Sequence, residues 1–195
     1  MARGADSVRG GVGNASNTSN ATDIMRMKII SMGEGGVGKS CLIKRFCEGK
    51  FVSRYISTIG IDFGVKPVVV AAGSSVRVNF WDLSGHSEFF EVRNEFYKDT
   101  QGAILVFDVT SRSSFDALDT WLREAEKFGG GKVPLVVCAN KVDKRRQVTE
   151  AEGRAWASAH GFPYYETSAQ SGANVNAVFE GLFESVFKQI APASS

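Results

Sequence analysis

The run Gly33-Glu34-Gly35-Gly36-Val37-Gly38-Lys39-Ser40 brackets a turn with glycines and closes it with a cation and a hydroxyl. Glycine lets backbone N–H groups approach an anion closely, lysine adds a full charge, and a hydroxyl suits a hard divalent cation. Chemistry that needs all three together is the cradling of a nucleotide's phosphates. The flanking residues agree. Met25 to Met32 reads as a strand and Ser40 to Phe46 as a helix, whose N-terminus adds positive potential at the loop. Backbone donors are expected from Gly36, Gly38, Lys39, Ser40 and Cys41, with Gly35 and Val37 completing the loop.

A second cluster, Asn140-Lys141-Val142-Asp143, follows an apolar run. It sets a carboxylate where it can accept two hydrogen bonds from one edge of a base. Guanine offers those two donors and adenine does not. A site built around such an acceptor rejects the wrong base, because the carboxylate would be left unpaired.

Rigid elements must aim these loops. Ile61 to Ala71 and Val76 to Asp82 are apolar runs joined by a short Gly-containing link, which predicts a hairpin. Gly102 to Val109 and Pro134 to Asn140 are nearly all apolar, as strands covered on both faces are. Between them Phe115, Leu118, Leu122, Ala125 and Phe128 recur at helical spacing, predicting one amphipathic helix ended by Gly129-Gly130-Gly131. Thr149 and Glu152 stand at capping-box spacing. A last strand is expected over Phe162 to Glu166, then a helix carrying Val175, Val178, Leu182, Val186 and Ile190. This alternation predicts an α/β fold: a mostly parallel six-stranded sheet with one antiparallel edge strand and helices on both faces. Ligands belong at the carboxyl ends of its strands.

With 195 residues, 43% of them hydrophobic, the chain can bury one substantial core, and a single domain is expected over residues 23–190. Residues 1–22, rich in Gly, Ser, Asn and Ala, are expected to be disordered, and 191–195 to form a short flexible tail. A net charge of +2 gives no reason to expect a nucleic-acid partner, and Lys144-Arg145-Arg146 is expected on a solvated loop. Cys41 and Cys47 fall about 9 Å apart on one predicted helix, and Cys138 lies in an apolar strand, so no disulfide framework is expected. That usage fits a reducing, cytoplasmic setting. His86 and His160, without a Cys-x-x-Cys pair, supply no zinc-site spacing.

Three further motifs stand in order: Ser57-Thr58-Ile59-Gly60-Ile61-Asp62-Phe63, Trp81-Asp82-Leu83-Ser84-Gly85 and Glu166-Thr167-Ser168-Ala169. With them, Met27 to Ile190 resembles the small GTPases of the Ras superfamily, the Rab branch above all. The resemblance implies a single P-loop GTPase domain that binds GTP and GDP with Mg²⁺. It implies Ser40 and Thr58 as ligands of the metal, Asp82 as a ligand through water, and Gly85 as a backbone donor to the γ-phosphate. It sets Phe51 beside the base, Tyr55 over the phosphates, and Asn140, Lys141, Asp143, Ser168, Ala169 and Gln170 around the base. Thr58 and Gly85 would let two loops, switch I and switch II, sense the terminal phosphate.

The chain departs from the family at His86, where relatives carry glutamine after the switch II glycine. Lys39, Gly85 and His86 then make up the expected catalytic set, with histidine a weak substitute for a water-orienting amide. A loss of roughly 1.4 to 2.7 kcal/mol at the transition state slows hydrolysis about ten- to hundredfold. Gly35 and Gly36 leave open space for water or a partner's arginine. Gln170 stands where many relatives have lysine, and the tail has no cysteine, so no lipid anchor is expected in this chain.

Phe89 to Gly102 is similar to the Rab-like GTPases that carry a C-terminal J domain, the RJL group, although no His-Pro-Asp signature is present. The implied function is a monomeric switch. Effectors would read Ile59 to Phe63 and Leu83 to Tyr97, and an exchange factor and a GTPase-activating protein would serve it. The aromatics Phe63, Trp81, Phe89, Phe90, Phe96 and Tyr97 are candidates for that surface. An alternative is a scaffold permanently loaded with GTP, with the nucleotide as a structural ligand. An ATPase or kinase on the same loop is disfavoured by Asn140-Lys141-Val142-Asp143.

Overall fold

The computed structural model describes residues 25–70, 73–130 and 132–191. The expectations for residues 1–22 and for the tail from Pro192 onward lie outside the described residues. β1 (Arg26–Met32), β2 (Ile61–Val69), β3 (Ser75–Leu83), β4 (Gly102–Asp108), β5 (Leu135–Asn140) and β6 (Tyr164–Glu166) form one sheet in the order β2-β3-β1-β4-β5-β6. Every neighbouring pair is parallel except β2 with β3, whose antiparallel register runs from Ile61 opposite Leu83 to Val69 opposite Ser75. The predicted P-loop GTPase architecture is the observed one.

Alternation along β4 divides the core. Ile104 and Val106 face one side, with α1 (Lys39–Glu48) and α6 (Val175–Ile190), through Leu42, Phe46, Phe179, Leu182 and Val186. Ala103, Leu105 and Phe107 face the other, where Leu118 and Trp121 of α4 (Leu118–Lys127) and Ala157 of α5 (Glu150–Ala159) cover them. A strand buried on both faces has no polar side to mark, which is why β4 and β5 read as continuous apolar runs.

The predicted single helix over Phe115 to Phe128 is two pieces, α3 (Arg112–Asp116) and α4, broken at Ala117. Ser111 caps α3 by accepting from the Ser114 amide, and the path tightens at Ala117, where ψ is −9°. Apolar spacing is the same through such a kink, so periodicity cannot reveal it. The predicted strand from Phe162 shortens to Tyr164, because Pro163 has no N–H to give the ladder; its carbonyl still accepts from the Val137 amide at 2.8 Å. The predicted capping box forms, with the Thr149 hydroxyl accepting from the Glu152 amide and the Glu152 carboxylate accepting from the Thr149 amide.

Phe179 is fully buried, its ring centroid 4.6 Å from that of Phe46 and 5.6 Å from that of Phe80, and it wedges α6 beneath α1. Truncating it opens a cavity under the helix that carries the phosphate loop. Phe179→Ala is expected to lower the unfolding free energy by about 3–5 kcal/mol, read as an earlier midpoint in urea denaturation.

Candidate functional site

The carboxyl ends of β1, β3, β5 and β6 meet at a cavity of about 300 Å³, lined among others by Gly36, Lys39, Ser40, Tyr55, His86 and Asp143. Its floor is the loop between β1 and α1. Gly38 is the N-cap of α1 at φ 100°, ψ 24°, and it offers no side-chain cap. A side chain there would be strained by that φ, and its Cβ would stand 2.4 Å from Asn140 Nδ2. The first-turn amides of α1 therefore have no side-chain acceptor of their own at a wall of the cavity, the arrangement that receives an anion.

Lys39 is buried, and its Nζ donates to the carbonyls of Gly33 and Glu34 at 2.8 and 3.0 Å. Burial pushes its pKa down to about 8, against the raising effects of Asp82 and Glu34. An ammonium held this far from water is primed for an anionic neighbour. Beside it three hard oxygens converge. Thr58 Oγ1 lies 3.0 Å from Ser40 Oγ and 3.3 Å from Asp82 Oδ2, and Ser40 donates to that same Asp82 oxygen. Ser31, buried below, donates to Asp82 Oδ1 at 2.6 Å and fixes the carboxylate.

At the far end, Asn140 is almost wholly buried and ties three segments together. Its Nδ2 donates to the Val37 carbonyl at 2.8 Å, while its Oδ1 accepts from the Ala169 amide at 3.2 Å and the Thr167 hydroxyl at 3.3 Å. Ser168 donates to Asp143 Oδ1 at 2.5 Å. Lys141, in a left-handed conformation with φ 68°, donates to the Gly36 carbonyl at 2.7 Å and pairs with Asp108 at 2.6 Å. Phe51, Lys144, Ala169 and Gln170 complete the wall.

The roof is formed by residues 52–56 and Thr58 on one side and Ser84, Gly85 and His86 on the other. Gly85 tolerates no side chain, since a Cβ would fall 2.2 Å from the Gly35 nitrogen. Arg93 of α2 (Phe90–Asn94) holds this segment by donating to the His86 carbonyl at 2.9 Å. Arg93 is itself held by a two-point pair to Glu124 on α4 at 2.6 and 2.8 Å, and Tyr97 donates to the same carboxylate. Burial and the adjoining carboxylate raise the Tyr97 pKa; burial works to lower that of Arg93, but Glu124 outweighs it and the net direction is up.

Most predicted site residues are brought to the cavity, but three are not on its wall. Val37 and Ser168 are buried behind it, at 2% and 0% exposure, and Asp82 reaches it through Ser40 and Thr58. The space that Gly35 was expected to leave open is filled by the His86 ring, whose Cε1 would meet a Cβ there at 2.7 Å. Lys144, Arg145 and Arg146 lie on a loop as expected, the first two exposed, while Arg146 also pairs with Glu166. Tyr97 is fully buried and drops out of the exposed aromatic set, whereas Phe63 is half exposed and packs against Trp81 with ring centroids 4.6 Å apart and planes tilted by 55°. Sequence reasoning missed Arg93, Glu124, Asp108 and Trp121, whose indole N–H donates to Glu34 at 3.0 Å. Asp108 could have been found, because it ends β4 directly opposite Asn140 of β5.

The sequence model of the Ras family matches residues 28–188. The chain belongs to the Ras family. It is 54% identical over 169 residues to DnaJ homolog subfamily C member 27 of Danio rerio, covering 83% of this chain and 62% of that protein. The protein of the same name from Gallus gallus is 51% identical over 180 residues, covering 89% and 66%, and that from Rattus norvegicus 53% over 169 residues, covering 83% and 62%. The chain thus spans just under two thirds of the length of these relatives. Their name agrees with the resemblance to Rab-like GTPases that carry a J domain, and this chain covers the GTPase part. Ras-family membership implies guanine-nucleotide binding. Among the described residues, no helix is long and apolar enough to cross a membrane.

Asn140 joins the loop after β1 to the loop after β6. Replacing it with alanine strands a buried carbonyl and a buried amide. Asn140→Ala is expected to cost about 1–3 kcal/mol of stability in nucleotide-free protein, measured as a lower midpoint of thermal unfolding.

Proposed function

We propose that this chain is a guanine-nucleotide switch of the Rab-like type that binds GTP and GDP with Mg²⁺ and hydrolyses GTP slowly. The observation that carries the reading is the convergence on one cavity of an uncapped helix N-terminus, a buried lysine, three hard oxygens and a carboxylate beyond them. The first-turn amides of α1 and the Lys39 ammonium bind the phosphates. Phe51, Lys141, Asp143, Ala169 and Gln170 take the base, with Asn140 and Ser168 holding that wall in place.

Ser40, Thr58 and Asp82 fit Mg²⁺. They offer two hydroxyls and one carboxylate, a donor set that depends on substrate phosphates to fill an octahedron. Among the described residues no cluster of three His, Cys, Asp or Glu side chains is present that would make an all-protein metal cage. Bound Mg²⁺ supplies charge neutralisation at the terminal phosphates. Thr58 and the Gly85 amide hold switch I and switch II to the γ-phosphate, so its loss releases both. Effector recognition depends on the ordered loops and ends with that release. The exposed side chains of Ile59, Phe63 and Val92 offer an apolar surface whose shape depends on the ordered loops.

Hydrolysis requires a water aligned with the γ-phosphate. An imidazole in place of a carboxamide lacks the paired donor and acceptor at one reach, and turnover drops accordingly. Two measurements test the reading. Asp143→Asn is expected to weaken GTP binding roughly a hundredfold and to favour xanthine nucleotides; equilibrium titration with both nucleotides decides, and unchanged GTP affinity removes Asp143 from the base site. His86→Gln is expected to speed single-turnover GTP hydrolysis about ten- to hundredfold, and equal rates would remove His86 from the explanation of slow turnover.

A further inference from the structure

Tyr55 and His86 meet across the roof of the cavity. The Tyr55 hydroxyl lies 3.0 Å from His86 Nε2, one residue coming from switch I and the other from switch II. A phenol hydroxyl can donate or accept, so either tautomer of a neutral imidazole completes the bond. The two partners are held very differently. Tyr55 is 62% exposed, on a stretch without regular structure in which residues 52–57 are all exposed. Few packing contacts therefore fix that stretch, and its polar ties matter more than usual.

His86 is anchored from two sides. Its carbonyl accepts from Arg93, which Glu124 holds in a buried pair, and its ring covers Gly35. The Tyr55 ring in turn passes over Gly36, with Cε2 4.0 Å from where a Cβ would stand. A fixed imidazole and a tethered phenol thus bridge the mouth above the phosphate loop.

Resting on the nucleotide reading above, we infer that Tyr55 and His86 form a clasp joining switch I to switch II over the terminal phosphate, so that His86 retains GTP in place of promoting its turnover. Nε2 is engaged by the phenol. A glutamine at position 86 could not present a ring to cover Gly35. The histidine accordingly exchanges water alignment for closure, and slow hydrolysis and slow release have one cause.

The test follows release of a fluorescent, hydrolysis-resistant GTP analogue and of fluorescent GDP from the full chain with Mg²⁺, chased by excess unlabelled nucleotide. Tyr55→Phe and His86→Ala are each expected to speed release of the GTP analogue about 2- to 10-fold, the loss of one neutral hydrogen bond. GDP release should change much less, and the double variant should be no faster than the faster single one. Gly35→Ala, which displaces the ring while leaving both partners present, is expected to behave like His86→Ala. Unchanged release in the single variants, effects that multiply in the double, or equal effects on GDP would overturn the clasp. A wild-type chain that binds neither nucleotide overturns the nucleotide reading and the clasp together, whereas normal binding with unchanged release overturns the clasp alone.

Discussion

The first turn of α1 has amides that no capping side chain satisfies, because only glycine fits the conformation of position 38 against Asn140. Much of the molecule serves to aim that turn. α6 wedges under α1 through Phe179 and Phe183, β1 holds the entrance to the loop between two parallel neighbours, and Asn140 ties the Val37 carbonyl to the opposite wall. A buried helix start without a cap costs stability unless something anionic arrives. Selection for binding and selection for stability therefore pull on the same few residues.

On the other face of the sheet the organising charges are Arg93 and Glu124, both nearly excluded from water. Such a pair contributes little net stability, since desolvation offsets most of its attraction, but breaking one partner is costly. Its effect is geometric. Arg93 reaches the backbone of His86 while Tyr97 completes the Glu124 carboxylate, so the segment after Gly85 is oriented by α4 as well as by the cavity. Glu34 of the phosphate loop reaches the same helix through Trp121. Two loops that face the cavity thus share a support behind it.

The fold was legible because its signals are periodic or steric. The alternation of apolar runs with helical spacing, the Gly-containing hairpin link and the Thr149 to Glu152 box each name a local structure, and each formed. The turns at Gly33 to Ser40 and Asn140 to Asp143 were legible as structure because backbone geometry limits which residues can stand there. Pairings between distant side chains were not legible. Arg93 with Glu124, Trp121 with Glu34 and Tyr55 with His86 are ordinary residues in sequence, separated by 31, 87 and 31 positions, and only tertiary packing joins them. The break at Ala117 left no trace in spacing for the related reason that a tightened turn keeps the same residues facing inward.

Trp121 has a consequence of its own. Its indole N–H rests on the Glu34 carboxylate, and the Arg93 guanidinium lies 4.5 Å from its ring centre, so a buried chromophore stands between opposite charges from the loop after β1 and from α2. Excited indole has a large dipole and responds to such fields. The protein consequently carries an intrinsic optical reporter, one that shifts colour when either charge moves and needs no label to do so.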